Sequence, residues 1–213
     1  MPRPVNARRT YTTSIRRGDA KQAILAAAGR LFAERGYLAT SIEDIAREAG
    51  VARPTVFASA GTKHAILKEA VDVALAGDDE PVPVRDRPWF KEMIEEPEPR
   101  RMLELHARNI RVMGERAADI YCAVEAAAGA DTEVAALWET MQQQRLAGSR
   151  MVTTSLAGKT AMRGGYTAEA AADLLWSFGS PMVYRKLVRE RGWSSQRFES
   201  WFADALCRML LPE

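Results

Sequence analysis

Two kinds of residue in this sequence could do chemistry, those that meet polyanions and those that move protons or ligate metals, and only the first kind falls into a pattern. Arg53, Thr55 and Ala58 lie where they would form the outward side of one short helix. There the Arg53 guanidinium can donate two hydrogen bonds to guanine O6 and N7, and Thr55 and Ala58 can meet a thymine methyl or a phosphate. The proton-moving residues form no such set. His106 lies near Glu104 and Arg108, and His64 follows Lys63, but neither belongs to a Ser, Cys or metal constellation. Glu95, Glu96 and Glu98 read as a solvated acidic turn, and Gly164-Gly165 lacks the Lys-Ser/Thr that a phosphate-cradling loop requires. Cys122 and Cys207 have no second Cys or His at ligand spacing and are too few for a disulfide framework. The expectation is a protein that is not an enzyme, with no catalytic residue, no metal and no cofactor.

The helix that would carry Arg53 needs a support, and the preceding residues supply one. From Asp19, the apolar residues Ile24, Leu25, Ala28, Leu31 and Phe32 recur on one face of a first helix that ends near Gly36. Ile42, Ile45, Ala46 and Ala49 mark a second helix, opened by a capping box of Thr40 with Glu43 or Ser41 with Asp44 and closed at Gly50. A third follows over about 53–58, with Pro54 tolerated in its first turn. Two short helices joined by a Gly-containing turn form a helix-turn-helix near residues 41–60, with Ile45, Ala49, Val51 and Val56 turned inward.

Charge agrees with that placement. Residues 1–63 hold 11 Lys and Arg against 5 Asp and Glu, whereas the rest holds 19 against 23, so a chain of net charge +2 has its basic excess at one end. Residues 1–17 contain five Arg and no acid and read as a flexible basic arm, with Arg16 and Arg17 placed to enter a minor groove or pair with phosphates. No apolar run approaches a bilayer span, and few cysteines suit a reducing compartment, so a cytoplasmic protein without a membrane partner is expected.

The remainder is all-α in pattern. A fourth helix over about 62–76 leads to a Pro-rich acidic stretch at 77–88, and further helices are expected near 89–95, 98–112, 115–128, 131–156, 167–190 and 194–211. The division expected is an arm at 1–17, a DNA-binding head at 18–63 and a larger helical body at 64–213. Large apolar and aromatic residues of the body, Met113, Tyr121, Trp138, Met141, Trp176, Phe178 and Tyr184, are candidates to line a pocket for a small apolar or amphipathic ligand. Closing a helical core would call for the same residue types.

The order of anchors over Ala20 to Leu67 resembles the head of the tetracycline-repressor (TetR) family. Ala28, Leu31, Phe32, Gly36 and Tyr37 match its A-x-x-L-F-x-x-x-G-Y run; Thr40-Ser41, Asp44-Ile45-Ala46 and Ala49-Gly50-Val51 match the next; Pro54-Thr55-Val56-Phe57 and a Lys before Ile66-Leu67 complete it. The resemblance implies that Ser41 or Thr40 and Lys63 hold phosphates while Arg53 and Thr55 face bases. It also implies a body that holds a small molecule and forms a homodimer through its last two long helices, on double-stranded DNA of palindromic sequence. The family often has Tyr, His and Phe where this chain has Phe57, Ser59 and Ala60. Phe57 cannot donate to a phosphate, and Ser59 reaches less far, but both stay with the expected DNA face. Two other classes are compatible with the composition: a helical enzyme with an unrecognised site, and an architectural DNA-binding protein without a ligand.

Overall fold

The computed structural model describes residues 17–78, 80 and 82–213, and among them every regular element is helical. The basic arm, with Arg16, lies outside the described residues; Arg17 opens the first helix. The N-terminal helices are α1 (Arg17–Arg35), α2 (Ile42–Ala49) and α3 (Arg53–Ala60), and α4 (Lys63–Ala76) leads from them into the body. The body follows with α5 (Pro88–Glu95), α6 (Pro99–Ala128), α7 (Thr132–Ala157), α8 (Ala168–Phe178), α9 (Pro181–Tyr184) and α10 (Ser195–Leu210). None of the helices is long and apolar enough to cross a membrane.

The predicted apolar face of α1 is buried as a unit: Ile24, Leu25, Ala28, Leu31 and Phe32 pack with Ile45 of α2, Val56 of α3 and Ile66 and Leu67 of α4. This core does not stop at the head. It continues into Ala117, Ile120, Tyr121 and Val124 of α6 and Val134, Leu137 and Met141 of α7. A second cluster joins Met102, Leu103 and Ala107 of α6 to Val152 and Leu156 of α7, Leu175 of α8, Tyr184 of α9, and Phe198, Phe202, Leu206 and Leu210 of α10.

Two expected boundaries fall differently. Separate helices were expected at 98–112 and 115–128, but α6 runs unbroken through Gly114. That glycine is there for close approach: a Cβ on it would lie 2.5 Å from the Tyr184 ring. Conversely, the single helix expected over 167–190 is divided. Helix α8 ends at Gly179, Ser180 caps α9 with its hydroxyl on the Met182 N–H, and Pro181, which has no N–H to donate, starts the new helix. A turn of π-helix over Arg185–Glu190 completes this segment.

The stretch between head and body is fastened by charge. Arg87, almost fully buried, donates to the Val82 and Glu80 carbonyls and pairs with Asp78 at 2.7 Å. Arg116 of α6 reaches the Leu75 carbonyl in the last turn of α4 at 3.1 Å, which satisfies a helix end with a cation.

One polar group is buried in the second cluster without compensation. His106 of α6 is 7% exposed, its ring lies 6.1 Å from that of Phe202, and its Nε2 has no hydrogen-bond partner. Burial lowers its pKa from 6.5 to about 4, so the imidazole is neutral at pH 7. Because the folded pKa lies below the unfolded one, the unfolded chain takes up the proton first. The stability contribution is intact above pH 6.5 and is lost as pH falls towards 4, by up to roughly 3 kcal/mol. His106→Leu is expected to flatten this dependence in chemical-denaturation curves taken across that window; a variant with the wild-type slope would show that another group is responsible. Gly114→Ala should destabilise the fold by about 1–3 kcal/mol through its collision with Tyr184, measurable as a lower denaturation midpoint.

Candidate nucleic-acid interface and regulatory site

The head presents α3 by fixing α2. Of the two capping boxes that the spacing allows, Ser41 with Asp44 is the one formed: the Ser41 hydroxyl accepts from the Asp44 N–H at 3.1 Å, and the Asp44 carboxylate accepts from the Ser41 N–H at 3.0 Å. The Ser41 hydroxyl also donates to the Asp44 carboxylate at 2.6 Å, and this bond, with the one from the Ser41 N–H and with Arg47 beside the carboxylate, holds the Asp44 pKa down at about 2, so the box stays intact until strongly acid pH. At the other end, Gly50 takes φ +69° and the Val51 N–H returns to the Ala46 carbonyl at 3.0 Å, turning the chain tightly into α3. Val56 then anchors α3 in the core with no exposed surface.

On the outward side, Arg53 stands in the first turn of α3 with its Nε on the Glu43 carboxylate of α2 at 2.7 Å. Its guanidinium also lies over the Phe57 ring, 5.5 Å from the centroid. Phe57 is 45% exposed, a large apolar surface on a helix otherwise free to face solvent. With Nε taken, both terminal nitrogens of Arg53 remain to meet an acceptor pair. Thr55 and Ser59, two residues on from Arg53 and Phe57 in turn, are half-buried on the same helix.

Of the residues expected to hold phosphates, Thr40 is placed differently. Thr40 is 1% exposed and its hydroxyl donates to the carbonyls of Gly36 at 2.8 Å and Leu31 at 3.3 Å, so it closes the end of α1 and cannot face DNA. Of the Thr40-or-Ser41 alternative, the exposed member is Ser41. Lys63 is half-buried with its ammonium 4.1 Å from the Tyr37 ring centroid; burial lowers its pKa and the Asp131 charge, at the start of α7, opposes that shift. Thr62, which the sequence reading passed over, is the exposed cap of α4 and accepts from the Ala65 N–H. Glu43 was also missed as a partner of Arg53, since ten residues and a turn separate them and no local spacing rule links the pair.

In the body, the structure gathers four of the seven candidate ligand residues. Tyr121, Trp138 and Met141 share the first core, the Tyr121 and Trp138 rings meeting edge to face at 4.9 Å. Arg145 of α7 joins Trp176 to them: it donates to the Trp176 carbonyl and lies over both the Tyr121 and Trp176 rings. Met113 is half-buried next to Gly114, and Phe178 is 40% exposed at the end of α8. Tyr184 is fully buried in the second cluster with its hydroxyl on Ser195 at 2.8 Å, so it serves packing there. A cleft of about 380 Å³ opens elsewhere, between α1 and α4, lined by Leu25, Ala26, Gly29, Ala70, Val73 and Ala74 among others.

Residues 24–70 match the model of the bacterial regulatory proteins of the tetR family. That stretch is similar to the regulatory proteins of this family, and the rest of the chain lies outside the match. No curated protein matches the sequence. The fold likeness extends beyond the head: a transcriptional regulator from Saccharomonospora viridis, solved in complex with choline, aligns with a TM-score of 0.70 at 19% identity over 92% of this chain and 100% of that one. NalD, the secondary repressor of the MexAB-OprM multidrug efflux pump in Pseudomonas aeruginosa, aligns with a TM-score of 0.68 at 20% identity, covering 92% and 98%. A TetR-family regulator from Rhodococcus sp. does so with 0.68 at 14%, covering 91% and 99%. At these identities the likeness is one of fold.

The capping box ties down the start of α2, the helix against which α3 is held, so its loss should be felt in the head. Ser41→Ala is expected to cost about 1 kcal/mol of stability and to speed amide hydrogen exchange in α2 ahead of α6; equal stability of the variant would mean that the box is not sustained in solution.

Proposed function

We propose that this chain is a TetR-family, ligand-responsive transcriptional repressor that acts as a homodimer on a palindromic operator. The observation that carries the reading is the Arg53 group: an exposed guanidinium in the first turn of the recognition helix, oriented by Glu43 and Phe57, with its two terminal nitrogens left for a base edge. Two N–H groups in that fork match guanine O6 and N7 and no other base edge in the major groove. Ser41, Thr55, Ser59 and Lys63 are the further members of this face, and Arg16 and Arg17 would extend it into the adjacent groove.

The division of labour follows the expected boundaries: an arm at 1–17, a head at 18–63 and a sensing and dimerising body at 64–213, in the cytoplasm. Dimerisation would use the segments 167–190 and 194–211, now α8 with α9 and α10, to set two recognition helices about 34 Å apart on successive major-groove faces. The repressor role of NalD and the choline bound to the S. viridis regulator support a repressor with an effector pocket in the body. Induction requires that effector and DNA favour different separations of the heads, a coupling of about 1–3 kcal/mol.

Selection from random DNA should return a palindrome bound more tightly than unrelated DNA by orders of magnitude, with log affinity falling steeply with log salt. Arg53→Ala should relax the preference at one base pair of each half-site by about 1–3 kcal/mol. Glu43→Ala has a more distinctive expected outcome. It removes a negative charge near the DNA, so affinity for unrelated DNA should hold or rise, while discrimination at the Arg53 base pair falls. If Glu43→Ala left the discrimination intact, the orienting role would be refuted; binding of all DNAs alike by the parent protein would favour an architectural protein instead.

A further inference from the structure

We infer that the effector of this chain is an anion, a small carboxylate or comparable oxyanion on an apolar or aromatic frame, received by Arg145, Trp176 and Tyr121. The inference rests on the reading of the body as a sensor and specifies the chemistry of what it senses. Arg145 is half-buried, its guanidinium carbon 5.9 Å from the Tyr121 ring centroid and 5.5 Å from that of Trp176. Its donors go to two neutral acceptors, the Gln142 amide oxygen at 3.0 Å and the Trp176 carbonyl. Among the described residues no carboxylate comes within ion-pair distance of it, whereas the buried Arg87 and the half-buried Arg111 and Arg185 each have two.

The groups around Arg145 add donors and no matching acceptor. The Trp176 indole N–H is shut off from solvent and has no partner among the described residues. Gln142 turns its amide N–H to the Tyr121 hydroxyl at 3.0 Å, so that oxygen accepts and its own proton is left to be given. A cation without a counter-charge, an orphaned N–H and a phenol proton make a site short of one negatively charged acceptor. Charge-assisted bonds of this kind are the strong ones, and the flanking rings of Tyr121, Trp138 and Trp176 offer apolar contact to the rest of the molecule. A quaternary ammonium would meet the Arg145 charge with like charge.

The site is also placed to matter. Tyr121 belongs to the same apolar cluster as Ile24, Phe32 and Ile66 of the head, so an anion that draws its hydroxyl towards Arg145 acts on the wall against which α1 and α4 rest.

The test uses the full chain and three frames, decyl, phenyl and 2-naphthyl, each as carboxylate, alcohol and trimethylammonium. Calorimetric titration gives affinities, and the indole resonances of 15N-Trp protein, with Trp176 assigned through Trp176→Phe, report on the site. At least one carboxylate should bind about tenfold or more tighter than its alcohol and ammonium counterparts and move the Trp176 indole proton downfield. Arg145→Gln should abolish that preference and Arg145→Lys should keep part of it; the latter serves alone if the former does not fold. Alcohol or ammonium frames that bind as well as the carboxylates would overturn the anion inference and leave the sensor reading standing. Carboxylate binding that survives Arg145→Gln with the Trp176 resonance unmoved would overturn this location. If no frame of any charge binds, both the inference and the sensor reading fail.

Discussion

A single helix in this chain has to close two cores, and the rest of the architecture follows from how α6 does so. Its Ala117, Ile120, Tyr121 and Val124 complete the core begun by α1–α4, while Met102, Leu103 and Ala107 complete the cluster shared with α10. Thirty residues at 1.5 Å rise make a rod about 45 Å long, enough to carry both sets of contacts without a joint. Small residues make this feasible: Gly114 admits the Tyr184 ring, and Ala107, Ala117 and Ala118 let neighbouring helices approach. The same economy concentrates risk, since an added methyl at the wrong point of α6 strains both halves.

A shared rod also limits how head and body can influence one another. Close-packed interiors move between discrete arrangements and do not deform smoothly. Polar ties sit where α4 meets α6 and α7: Arg116 on the Leu75 carbonyl, and the Asp131 charge acting on Lys63 and Tyr37. Tyr121 therefore meets the core of the first helices through apolar contact, while these ties fasten α4 to α6 and α7. Lys63 occupies both worlds, being a member of the expected DNA face and a cation already leaning on the Tyr37 ring.

What could be read from the sequence was whatever rests on near neighbours. The Ser41–Asp44 box, the left-handed Gly50 and the apolar face of α1 are governed by backbone geometry within a few residues, and each appears where spacing put it. What could not be read depends on distant partners. Thr40 has the right chemistry for a phosphate, but its hydroxyl is spent on the end of α1. Gly114 looks like a helix break and is a packing notch for a residue 70 positions away. Among the aromatics, periodicity places Tyr121 and Tyr184 alike; only the fold separates one beside Arg145 from one closed against Ser195.

The departures at positions 57 and 60 can be placed once α3 is in view, while nothing in the structure explains the one at 59. A tyrosine hydroxyl at 57 would belong to the phosphates; a phenyl ring there belongs to Arg53, whose guanidinium it underlies. Ala60 is partly buried against the core, where a small side chain takes the place of a larger apolar one. On the proposed DNA face, Arg53 would read a base pair while Ser41, Ser59 and Lys63 would meet phosphates, so discrimination would rest on one guanidinium oriented by Glu43 and Phe57.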